Sequence, residues 1–266
     1  MNAPTDGIEA WAWSFLHAQT LKGKFEPAPP PSDFSGWCGA DDLNERLRPA
    51  RPAELRVLVK APKTPRPGAM VSAKVRAGLF ASFHHHELQA AELFCWALLV
   101  HSGTPMAFRK GLVKLATDEI RHMGMYRRHV ERLGYSIEDF GVRDYFWERV
   151  PMSVGPAGFC AVLGLGFEGA NLDHSAIFAE RFRAVGDEEG ARIQEVVGEE
   201  EIEHVRFAGH WFSEFTGEEG FDAWRSHLPA PLSPILMRGP VMDREARQRA
   251  GYEDGFLEEL ESWQMR

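Results

Sequence analysis

Two short segments of this chain read Glu-x-x-His: Glu119-Ile-Arg-His122 and Glu201-Ile-Glu-His204. Helical residues three apart share a face, so each pair can aim a carboxylate and an imidazole at one point. Each pair also falls inside an apolar stripe. The first stripe runs Leu112, Leu115, Glu119, His122/Met123, Tyr126, Val130, and the second runs Ile193, Val197, Glu201, His204, Ala208, Trp211, Phe215. Two more acids sit in the same way: Glu87 among Phe80, Phe83, Ala91, Phe94 and Leu98, and Glu168 among Ala161, Leu165, Leu172 and Ala179. Polar groups at core positions need compensation. Four carboxylates and two imidazoles in an apolar interior would force several acids to protonate. Two divalent ions offset that charge. A thiolate-free set of carboxylates and imidazoles suits two iron ions, with manganese or a mixed manganese–iron pair as the alternative. One Glu from each of two helices, plus Glu-x-x-His from each of the other two, is the di-iron carboxylate pattern.

The helices that must carry these residues repeat. Glu87 and Glu119 are 32 residues apart, and Glu168 and Glu201 are 33 apart. Gly103 lies 16 residues from both Glu87 and Glu119, so two antiparallel helices leaving that turn bring both acids to one level. Helices are expected over about 72–101, 105–133, 156–186 and 187–215. Pro105 opens the second, and Gly134, Gly186 and Gly217 act as stops. The connection over 135–155 is longer than the other two. The expected fold is therefore all-α: two helical hairpins joined by a crossover, the connectivity of a ferritin-like four-helix bundle over residues 71–216. Residues 1–70 read as a helix from about Gly7 to Leu21 followed by a Pro-rich arm that packs on the bundle. Residues 217–266 read as a C-terminal extension with short helical pieces over 243–250 and 253–263.

Composition bounds the partners. The chain has 266 residues, 39 acids against 30 Lys and Arg, and a net charge of -9. That balance disfavours nucleic acid and anionic membranes. Cys38, Cys95 and Cys160 form no CxxC and cannot all pair, which suits a reducing compartment. The first residues lack a basic, then apolar, leader, and the longest uncharged run, 150–167, holds four Gly and two Pro. A cytoplasmic protein without a membrane span is expected.

The segments His86-Glu-Leu-Gln-Ala90, Asp118-Glu-Ile-Arg-His122, Phe167-Glu-Gly-Ala-Asn-Leu-Asp173 and Glu200-Glu-Ile-Glu-His204 resemble an uncharacterised bacterial family of the ferritin-like superfamily. The resemblance extends through Gly186-Asp-Glu-Glu-Gly190 and Asp243-Arg-Glu-Ala-Arg247 and touches the N-terminal helix. Residues 118–122 are also similar to the bacterial multicomponent monooxygenases, such as soluble methane monooxygenase. That likeness implies that the acid preceding each ligand Glu, here Asp118 or Glu200, accepts the remaining N–H of a ligand histidine. Glu200 stands where that pattern has Asp.

The leading functional expectation is a di-iron oxidoreductase that uses dioxygen to oxidise or hydroxylate a small-molecule substrate, with an external electron donor. Alternatives are a ferroxidase or iron-handling protein, a manganese-type peroxide-dismutating protein, a tRNA-modifying hydroxylase, and a non-enzymatic metal-binding bundle. A homodimer is compatible with each. Several features have plainer readings. His84, one turn before Glu87, belongs to a His84-His85-His86 tract read as a surface tract or as neighbours of the site. Tyr126 and Trp211 are core residues that could relay an electron. Asp173 and His174 are polar neighbours off the ligand face. Gly164-Leu-Gly166-Phe-Glu-Gly169 matches GxGxxG but lacks a βαβ context. Its glycines either permit close helix packing or leave room beside the metals.

Overall fold

The computed structural model describes residues 3–32, 34, 47–60 and 63–264. Cys38 and Pro62 lie outside the described residues. Those that are described form an all-α protein, with an isolated bridge between Val57 and Val142 and no strands. The chain divides into two compact units, Met1–Glu148 and Arg149–Arg266.

In the first unit, helix α1 spans Gly7–Leu16 and α2 spans Leu21–Phe25. The single helix expected to Leu21 is thus two. The chain leaves α1 after Leu16, and Thr20 starts afresh by accepting the Gly23 N–H at its side-chain oxygen. The long hairpin follows, with α3 at Ala73–Val100 and α4 at Met106–Arg132. Thr104 and Arg109 fasten its turn by donating to the carbonyls of His101 and Ser102. Gly134 then takes φ +88°, which only glycine adopts cheaply, and ends the run. From Glu87 onward α3 is buried on every side. A helix apolar all round needs cover on all faces. Here α1 packs along it, and the arm adds an Arg51–Glu92 ion pair at 2.7 Å. The arm also bonds to the crossover between Leu58 and Val142.

In the second unit, α6 (Gly155–Phe159) runs into a nine-residue π-helix, Cys160–Glu168, and then α7, Gly169–Arg183. After a turn at Gly186, α8 spans Glu188–Thr216, capped by Asp187, whose carboxylate accepts the Gly190 N–H. The continuous α-helix expected over 156–186 is therefore interrupted. Three short helices complete the unit: α9 at Phe221–Ser226, α10 at Arg244–Arg249 and α11 at Asp254–Ser262. Helix α5 spans Tyr145–Arg149, with all but its last residue in the first unit. Among the described residues, no helix is long and apolar enough to cross a membrane.

The glycines of residues 164–169 are packing contacts. A Cβ on Gly164 would overlap that of Ala208 on α8, and one on Gly166 would come within 2.8 Å of the Met237 sulfur. On Gly169 it would strike the Tyr252 hydroxyl. Of the two expectations for this stretch, close packing is the one observed.

Candidate metal centre

The first unit gathers three ligand side chains. Glu87 comes from α3, and Glu119 and His122 come from α4; all are buried. One ligand atom of each lies within 4.8 Å of the others. The single turn of helix between Glu119 and His122 sets Nδ1 3.1 Å from Oε2. Tyr126, a turn further on, is packed against Phe80 and Phe83 at ring distances of 5.7 and 5.8 Å.

The second unit repeats the arrangement. Glu168 ends the π-helix, and Glu201 and His204 come from α8; all are buried, with ligand atoms again within 4.8 Å of one another. His204 Nδ1 stands 3.1 Å from Glu201 Oε2 and 3.4 Å from Glu168 Oε2. Asn171 donates from Nδ2 to Glu201 Oε1 at 3.2 Å. It is a site residue that the sequence reading passed over. Its signal was its place three residues after Glu168, on the same helical face.

These buried Glu and His groups could hold a metal ion. Each triad carries two carboxylates and one imidazole. One divalent cation per triad balances its charge, and the oxygen–nitrogen donor set suits a first-row metal.

The other expected residues lie differently. Asp118 pairs with Lys114 at 3.1 Å near the surface of α4. Glu200 is half-buried on α8. Neither belongs to the ligand-atom groups. The histidine tract is not a surface tract: His84 and His85 are buried and only His86 is exposed. His84 meets Phe25 edge-on at 4.5 Å, and burial pushes its pKa down to about 3. His85 Nε2 bonds Asp144 at 2.8 Å, and His86 stacks on Phe146. Cys95 and Cys160 are free and buried, which raises both thiol pKa values and makes them inert. Trp211 packs with Phe207 and Phe215.

Three further buried acids, Glu9, Asp173 and Glu92, have basic partners. Glu9 binds Arg109 at 2.7 Å. Asp173 receives two bonds from the fully buried Arg247, at 2.9 and 2.8 Å. Glu92 receives Lys24 at 2.6 Å, Arg51 at 2.7 and 2.9 Å, and the Trp147 indole at 2.9 Å. Burial raises the Glu92 pKa, but Arg51 and Lys24 outweigh it and hold the carboxyl below its ordinary range. Asp173 thus anchors the tail and is more than a polar neighbour.

Comparison with known proteins places the chain. The profile of a family described as "Protein of unknown function (DUF455)" matches residues 13–258, and the chain belongs to that family. A protein of Haemophilus influenzae (strain Rd), described as uncharacterized, is 25% identical over 153 residues, covering 56% of this chain and 53% of that protein. The match thus spans about half the length of that relative. No solved structure matches.

Proposed function

We propose that this DUF455 chain is a ferritin-like di-iron oxidoreductase that uses dioxygen to oxidise or hydroxylate a small molecule. The observation that carries this reading is the duplicated buried triad: Glu87, Glu119 and His122, and Glu168, Glu201 and His204. In this reading each helical hairpin supplies two carboxylates and one imidazole, the donors for one metal ion per triad. Bound iron supplies a Lewis acid and a one-electron redox couple suited to dioxygen.

The chain's own residues prepare the site. Glu119 and Glu201 hold the imidazoles of their own helices in orientation. Asn171 restrains one oxygen of Glu201 and leaves the other toward His204. Buried Leu112, Leu115, Met123, Val197, Val205 and Ala208 keep bulk water from the triads. A ligand histidine needs an acceptor for its other N–H, and Asp118 and Glu200 are proposed for that role. The electron donor and substrate come from outside the chain.

The test is oxygen consumption by protein loaded anaerobically with ferrous iron and then exposed to dioxygen. Wild type should consume oxygen, and Glu119→Ala and Glu201→Ala should each lose most of that reaction. Unchanged consumption in both variants contradicts the proposal. Exclusive retention of manganese would shift the reading to peroxide dismutation.

A further inference from the structure

We propose that the C-terminal tail positions Glu168: Trp224 and Tyr252 clamp the π-helix that ends in this residue and fix the rotation at which its carboxylate is presented. The proposal rests on the reading of Glu168 as a metal ligand.

A π-helix is seldom longer than one turn, and where it occurs it often marks a functional site. This one runs nine residues, to Glu168 itself. Its hydrogen bonds show what supports it. The Gly169 N–H is shared between Gly164 O, five residues back, and Gly166 O, three back, where an α-helix would give it Leu165 O. The Leu165 carbonyl instead accepts the buried Tyr252 hydroxyl at 2.6 Å. One α-turn earlier, the Ala161 carbonyl accepts the Trp224 indole N–H at 2.9 Å. Two side chains of the tail thus bond two carbonyls of the π-helix.

The fit is close because the helix lacks side chains there. Met237 and Tyr252 lie where Cβ atoms on Gly166 and Gly169 would stand. The tail is tied down beyond Glu168 as well. Asp173 on α7 accepts from Arg247 and from the backbone N–H groups of Gly239 and Asp243. Arg247 lies over the Tyr252 ring at 5.4 Å, and Phe256 packs on the same ring at 4.9 Å. Each residue of an α-helix turns the chain by about 100°. A slip from π to α winding would therefore swing Glu168 away from Glu201 and His204, with no change in the composition of the triad. Tyr252 and Trp224 are positioning residues in this scheme.

Tyr252→Phe removes the hydroxyl and keeps the ring. Amide exchange of metal-free protein is read over residues 160–168 and, as reference, over α8. Cobalt(II) titration, followed by its visible absorption, reads the triad. The variant is expected to exchange about tenfold faster over 160–168, with α8 unchanged and a melting temperature within about 5 °C of wild type. Cobalt should bind about tenfold more weakly, with a shifted absorption band. Trp224→Phe should act in the same direction. Arg244→Ala, which removes only surface pairs of the tail with Asp254 and Glu261, should change neither readout. If wild type and Tyr252→Phe agree in exchange over 160–168 and in cobalt binding, the proposal fails and the metal reading stands. If wild type takes up no cobalt, the metal reading fails and takes the proposal with it.

Discussion

Among the described residues, two kinds of buried carboxylate stand out. Glu9, Glu92 and Asp173 are each met by the opposite charge of a Lys or Arg. Glu119 and Glu201 are met by the imidazoles of their own helices, in triads with Glu87 and Glu168. The triad acids were legible in the sequence because a carboxylate breaking an apolar stripe is a local signal. The role of Glu92 was not, because Lys24 lies 68 residues away and no spacing rule links them. His84 gives a pH prediction. Its folded pKa of about 3 lies below the ordinary 6.5, so the unfolded chain takes up a proton that the folded chain refuses. Stability present above pH 6.5 is therefore lost as pH falls toward 3, at up to about 1.4 kcal/mol per pH unit. The nearby charges of His85 and Arg127 act in the same direction. Urea midpoints of metal-free protein between pH 7 and 5 should fall for wild type, and less steeply for His84→Phe. Equal slopes would show that another group governs this range.

The four long helical runs were predicted within a residue or two at most ends, because apolar periodicity, Pro105 and the stop glycines are all local signals. The π-helix was not predicted. It is met by the tail, which reaches Leu165 from 87 residues away, beyond any local spacing rule. The glycines at 164, 166 and 169 were visible, but what they make room for comes from α8 and from the tail. Gly164→Ala should overpack this contact and cost about 1–3 kcal/mol in a urea melt. Ala208→Gly in the same chain should recover part of that loss, because the two positions share one space. Strictly additive effects would contradict the contact. In the first unit, Glu92→Ala leaves the fully buried Lys24 without a carboxylate and removes one of the two acids that meet Arg51. It should cost about 3–5 kcal/mol, far more than loss of the exposed Arg192–Glu189 pair.

At the scale of the whole molecule, one motif occurs twice: a helical hairpin with one acid on its first helix and Glu-x-x-His on its second, once in each compact unit. Each copy places three residues together in its own interior that could hold a metal ion. The arm and the tail also have corresponding parts. The arm answers Glu92 beside the first triad's helix, and the tail answers Asp173 beyond the second triad's Glu168. The most direct measurement is metal content per chain, by elemental analysis after anaerobic ferrous loading and removal of loosely held ions. Wild type should retain about two iron ions, and Glu119→Ala and Glu201→Ala, one from each triad, should each retain about one or fewer. A wild type that retains essentially none, or variants that both retain the full complement, would contradict the two-metal account.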